Sequence, residues 1–147
     1  MLKPGKIVLL FLLFAGLCLS ASCGIFSPDA YEHLIIMTDN QTYSPGDTLQ
    51  IAMVNFTARA IEYNLCLYSF QILKNQQWMA SLVGKGHVCQ LPAFLLKPGD
   101  IATYRIPLTE PMEPGIYRLK FSGISQKNGG PLPEKHRVSN RFIIVNE

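Results

Sequence analysis

The chain has 147 residues, of which 48% are hydrophobic and 16% charged, with a formal net charge of +3 and a mean hydropathy of +0.18. This is one domain's worth of sequence with enough apolar residues for a core, which excludes most multi-domain enzymes and a disordered chain. Lys3 and Lys6 lie in a segment read below as removed, and without them the chain is close to neutral, so no nucleic acid or other polyanion is implied as a partner.

The chain opens with a charged stretch, Met1 to Lys6, followed by an apolar run from Ile7 to Leu19. Those 13 residues, at about 1.5 Å per residue, span about 20 Å as a helix, short of the roughly 30 Å of a bilayer core. They read as the two halves of a signal segment. The small residues Ser20-Ala21-Ser22 then precede Cys23-Gly24, and here the sequence resembles the lipobox of bacterial lipoproteins. It departs from that family at Ser20, where a leucine is usual, Leu19 standing one step earlier. The resemblance implies that residues 1–22 are cut off, that Cys23 becomes the diacylated first residue, and that the chain is held to a membrane of the cell envelope. Two or more acyl chains are what a stable anchor takes. Gly24 in place of an aspartate resembles the pattern that goes onward to the outer membrane in Gram-negative cells. The alternatives are a secretory signal cut after Ala21 or Ser22, with Cys23 left as a thiol, and an uncleaved anchor.

With Cys18 in the apolar run and Cys23 lipidated, Cys66 and Cys89 remain, and an exported chain can oxidise them to a disulfide. Closing a loop of about 24 residues is worth roughly 3.4 kcal/mol on the chain-entropy account. No C-x-x-C spacing is present, and His87 with Cys89 is too small a set for a tetrahedral metal site, so no metal is expected.

Beyond residues 23–30, a short tether, apolar residues recur with period two or in short β-rich runs, with no sustained 3.6-residue period. In chain order the expected strands are Leu34 to Met37, Thr48 to Asn55, Ile61 to Leu67, Ser69 to Lys74 and Trp78 to Leu82. Ile101 to Leu108, Ile116 to Phe121 and Val138 to Val145 complete the set. Turn chemistry precedes several of them: Pro45-Gly46-Asp47, Asn75-Gln76-Gln77, Lys97-Pro98-Gly99-Asp100 and Glu113-Pro114-Gly115. Residues 83–92, with Gly84 and Gly86, read as a loop.

Seven or eight short strands over residues 31–147 predict an all-β, antiparallel β-sandwich. Tyr117, at the start of a strand just after a turn, stands where a tyrosine corner would. The order of Tyr43-Ser44-Pro45-Gly46-Asp47, Trp78, Leu96-Lys97-Pro98-Gly99-Asp100, Pro114-Gly115-Ile116-Tyr117 and Ser139-Asn140-Arg141-Phe142 resembles the bacterial immunoglobulin-like domains of surface lipoproteins. Antibody domains differ, because their disulfide joins two core strands, whereas a Cys66 to Cys89 link would tie a middle strand to the loop that follows it.

Catalytic residues, cofactor sites and metal ligands are not expected. No Gly-x-Ser-x-Gly elbow occurs, and His33, His87 and His136 are scattered and read as surface or turn residues. Asp47, Asp100 and Glu113 read as turn formers, Gly129-Gly130 as a turn without phosphate-loop context, and Trp78 as sheet packing. Asn55-Phe56-Thr57 fits a glycosylation sequon that a bacterial chain leaves unused. Binding is the better candidate. The connection from Gly123 to Arg137 is longer than a hairpin needs, and Lys127, Lys135, His136 and Arg137 make it basic. In a sandwich it shares one end with the connection Thr57 to Ala60. The expected function is a non-catalytic, lipid-anchored envelope module that binds an envelope protein or wall component. The alternative is an exported protease-inhibitor-like or chaperone-like binder acting through residues 124–137.

Overall fold

The computed structural model describes residues 30–84 and 88–146. The signal segment, Cys23, most of the tether and His87 lie outside the described residues. Eleven strands and one short 3₁₀ turn make up the described fold: β1 Leu34–Thr38, β2 Thr42–Tyr43, β3 Thr48–Asn55, β4 Ile61–Tyr63, β5 Tyr68–Lys74, β6 Gln77–Ala80, β7 Phe94–Leu96, β8 Ile101–Pro107, β9 Gly115–Phe121, β10 Ile124–Gln126 and β11 Phe142–Ile144. The fold is all-β, as the patterning predicts. One layer is the antiparallel sheet β1-β3-β8. The other is the five-stranded sheet β2-β11-β9-β5-β6, antiparallel except where β2 runs parallel to β11, and a small sheet β10-β4-β7 is built from the connections.

Alternation along the strands produces the core. Leu49, Ile51 and Met53 of β3 and Ala102 and Ile106 of β8 are buried, as are Phe70 and Ile72 of β5 and Tyr117, Leu119 and Phe121 of β9. Each row of inward side chains follows from the two-residue period of a strand with one face toward the partner sheet. Phe142 of β11 lies among aromatic neighbours, edge-on to Tyr43 at 5.6 Å between centroids, stacked with Tyr117 at 6.1 Å and edge-on to Phe70 at 6.5 Å. Burial, together with the Asp39 carboxylate that accepts its hydroxyl proton at 2.6 Å, pushes Tyr43 up to about 12.

The turns carry the predicted chemistry. Gly46 (φ 94°) and Gly99 (φ 84°) both occupy the left-handed region, which a glycine after proline supplies without strain. Asp47 and Asp100 close these turns by accepting the backbone N–H groups of Ser44 at 2.7 Å and Lys97 at 3.3 Å. The Tyr117 hydroxyl donates to the Glu113 carbonyl at 2.7 Å, four residues upstream, as a tyrosine corner requires. Asn75 and Gln76, both at positive φ, form the two-residue hairpin turn, so Gln77 belongs to β6 rather than to the turn.

Four corrections concern the connections. The strand expected over Ile61 to Leu67 ends at Tyr63, because Asn64 begins a turn: its amide donates to the Leu91 carbonyl at 2.6 Å and its Oδ1 accepts the Cys66 N–H at 3.0 Å. The Cys66–Cys89 disulfide forms, with Cα atoms 5.6 Å apart, and it ties this turn, not a strand, to the following loop. The last strand covers Phe142–Ile144 alone, since Ser139 and Asn140 spend their side chains on backbone partners, Leu119 N–H and Thr38 N–H among them. The connection 123–137 is structured: β10 pairs with β4, Ile124 and Leu132 are buried, and Glu134–His136 forms the 3₁₀ turn.

Candidate functional site

The four basic residues of that connection do not make one surface. Lys127 and Lys135 are exposed, but His136 is buried, its ring 6.3 Å from that of Tyr31. Arg137 turns inward and donates to the backbone carbonyls of Leu132 at 2.6 Å and Phe121 at 3.2 Å, which locks the loop to β9. His136 is therefore a turn residue, as one half of the expectation has it, but a buried one and not a surface residue. His33 is exposed beside β1. Among the described residues, no three His, Cys, Asp or Glu side chains gather as a metal site would need.

A chemically denser place is the outer face of the five-stranded sheet. Trp78 on the edge strand β6 is half-buried, with the Arg118 guanidinium 4.5 Å and the Arg141 guanidinium 5.8 Å from its ring. Register explains the meeting. Gln71 of β5 stands opposite both Arg118 and Ala80, and Leu73 stands opposite Trp78. Arg118 also donates to Gln71 Oε1 at 2.7 Å and to Glu134 at 3.2 Å, while Lys120 reaches the other Glu134 oxygen at 2.6 Å. The Lys120 hydrogen bond, with the charges of Arg118 and Arg137 around it, holds the Glu134 carboxyl below its ordinary value. Arg141 makes no ion pair among the described residues, so three cations meet one carboxylate and the face is net positive. Beside it Ile116 and Ile143 lie opposite each other on β9 and β11, both exposed.

Trp78 thus packs on a sheet face, as expected of it, but its arginine neighbours are 40 and 63 residues away and go unseen in the sequence. The alternation Ile116, Arg118, Lys120 on one strand face is the signal that marks this surface. A cleft of about 300 Å³ between the β5–β6 hairpin and residues 111–113 is bridged by Lys74 and Glu113, which pair with each other at 2.7 Å.

No family model and no curated protein matches the chain. Solved structures with a distant likeness to the chain include the Pseudomonas fluorescens alkylpurine DNA glycosylase AlkC bound to DNA containing an abasic site analogue (16% identity, 78% of this chain and 29% of that one, TM-score 0.39). Others are a ceramidase complexed with C2 (13%, 86% and 21%, 0.43) and the Bacillus subtilis sporulation control protein Spo0M (12%, 78% and 48%, 0.37). The chain spans less than half the length of each.

Proposed function

We propose that the protein is a non-catalytic, lipid-anchored module of a bacterial cell envelope, held at Cys23, whose immunoglobulin-like sandwich docks an acidic protein partner. The anchor rests on the resemblance of Ser20 to Gly24 to a lipobox. The immunoglobulin-like assignment is supported by the strand order, by the parallel run of β2 beside β11, and by the Tyr117 hydroxyl on the Glu113 carbonyl. The observation that carries the binding role is Trp78 beneath two guanidiniums beside Ile116 and Ile143. Tryptophan and arginine are the residues that dominate interface energetics, and a net positive rim selects an acidic partner.

Photo-crosslinking in cells tests it. A photoreactive residue at Ile116 or Ile143 is expected to give one discrete adduct, and Arg141→Glu or Trp78→Ala should lower its yield by about tenfold or more. A label at Gln50, on the opposite sheet, should give no protein adduct. Adducts independent of the face labelled would contradict the proposal. Adducts only from Lys127 or Asn128 would favour the loop-borne inhibitor instead, for which the support is an exposed tip pinned by Gln126 N–H to the Gly130 carbonyl and Gly129 N–H to the Gln126 carbonyl.

A further inference from the structure

One end of the outer face of the three-stranded sheet is apolar where a half-exposed sheet is normally polar, while Gln50, Thr103 and Arg105 keep the rest of that face polar. Ile35, Val54 and Ile101 stand opposite one another across β1, β3 and β8, and Met37 lies opposite Ala52 in the next row. Ile35 is 40% exposed, Met37 41% and Ile101 64%. Phe56, two residues beyond Val54 and 62% exposed, extends the patch to the end of the sandwich. Its N–H donates to the His33 carbonyl at 3.1 Å, so this end is also where the chain enters the domain. Val54 is covered by these neighbours, and exposed apolar side chains grouped in this way mark a docking site.

We infer that this patch rests on the bilayer that holds the chain, with Phe56, Ile101 and Ile35 at the lipid surface. The inference rests on the lipidated-Cys23 reading. Residues 23–30, at about 3.6 Å per residue when fully extended, reach at most about 29 Å. The first residue of the domain core, Tyr31, follows directly, and the backbone contact between His33 and Phe56 places the patch beside the point of attachment. A segment so short keeps the patch at a high effective concentration against the membrane, so modest apolar contact suffices to hold it there. Arg105, exposed and opposite Gln50 in the row beyond, adds a cation suited to lipid phosphate. The five-stranded face, on the other side of the sandwich, is left turned to the envelope space and to its partner.

The test uses the full chain processed in cells, purified and reconstituted in vesicles of phosphatidylethanolamine and phosphatidylglycerol, with an environment-sensitive dye on Ile101→Cys or on Ser69→Cys of the opposite sheet. Both sites are exposed, so the fold is kept. The dye at position 101 should shift to the blue by about 10 nm or more and be quenched by nitroxide lipids, and the dye at 69 should do neither. The same sample is weighed by mass spectrometry at Cys23. A diacylated chain whose position 101 stays water-like overturns the inference and leaves the anchor reading standing. A chain without lipid overturns both. A blue shift that persists in vesicle-free Cys23→Ser protein, with the mass of a dimer, assigns the patch to a second copy and overturns the inference.

Discussion

Phe142→Ala should lower the unfolding free energy by about 4 kcal/mol, the middle of the range for a phenylalanine removed from a packed core. Phe142 is 1% exposed and touches the rings of Tyr43, Tyr117 and Phe70, which come from β2, β9 and β5. Three rigid aromatic walls cannot collapse into the space, so the cavity cost adds to the lost transfer energy. The loss also loosens β11, the strand that joins β2 to the rest of the five-stranded sheet. Ile143→Ala in the same strand, exposed on the outer face, should cost about 1 kcal/mol or less. Urea unfolding at constant slope distinguishes the two, and equal costs would mean the aromatic cluster does not organise the core.

Asn55→Leu should cost about 3–4 kcal/mol although it adds apolar volume. Asn55 is 0% exposed, and its amide donates to the carbonyls of Arg59 at 2.8 Å and Leu96 at 3.1 Å. Its Oδ1 accepts the N–H of Thr57 at 3.0 Å and the Thr57 hydroxyl at 2.7 Å. Leucine leaves these groups buried without that partner, at about 1–3 kcal/mol each before relaxation. Asn55→Asp keeps the shape and sharpens the test. Its carboxylate would face two carbonyl oxygens in a dry site, so the folded state holds the proton above the unfolded value of about 3.9. The folded state then binds more protons than the unfolded one, and the stability of this variant falls as pH rises above about 4. A pH-independent loss would show that the site admits water. The same burial withholds the Asn55 amide of the sequon from any enzyme that acts on the folded chain.

What the sequence makes legible follows from length of pattern. The eight-residue β3 alternates long enough to show its period, and Pro45-Gly46-Asp47 and Pro98-Gly99-Asp100 announce their turns by residue chemistry alone. β2, β7 and β10 have two or three residues each, too few for a period of two to register, and they exist because the neighbouring strands offer partners. Ile124, Leu132 and His136 enter the core from three different pieces of one connection, so their spacing resembles a loop. The Trp78, Arg118 and Arg141 cluster is likewise a product of register across β6, β5, β9 and the approach to β11. The basic character of the connection 123–137 was readable, but its direction was not: the backbone carbonyls of Leu132 and Phe121 claim Arg137 before any ligand can.

The proposed anchor at Cys23 underlies both the envelope assignment and the membrane-facing patch, and mass spectrometry of the N-terminal peptide from the membrane fraction tests it most directly. The expected result is a peptide beginning at Cys23 that carries a diacylglycerol on sulfur, and a Cys23→Ser chain that loses this modification and leaves the membrane. An unmodified peptide beginning at Ser22 or Cys23, recovered from the soluble fraction, would contradict it.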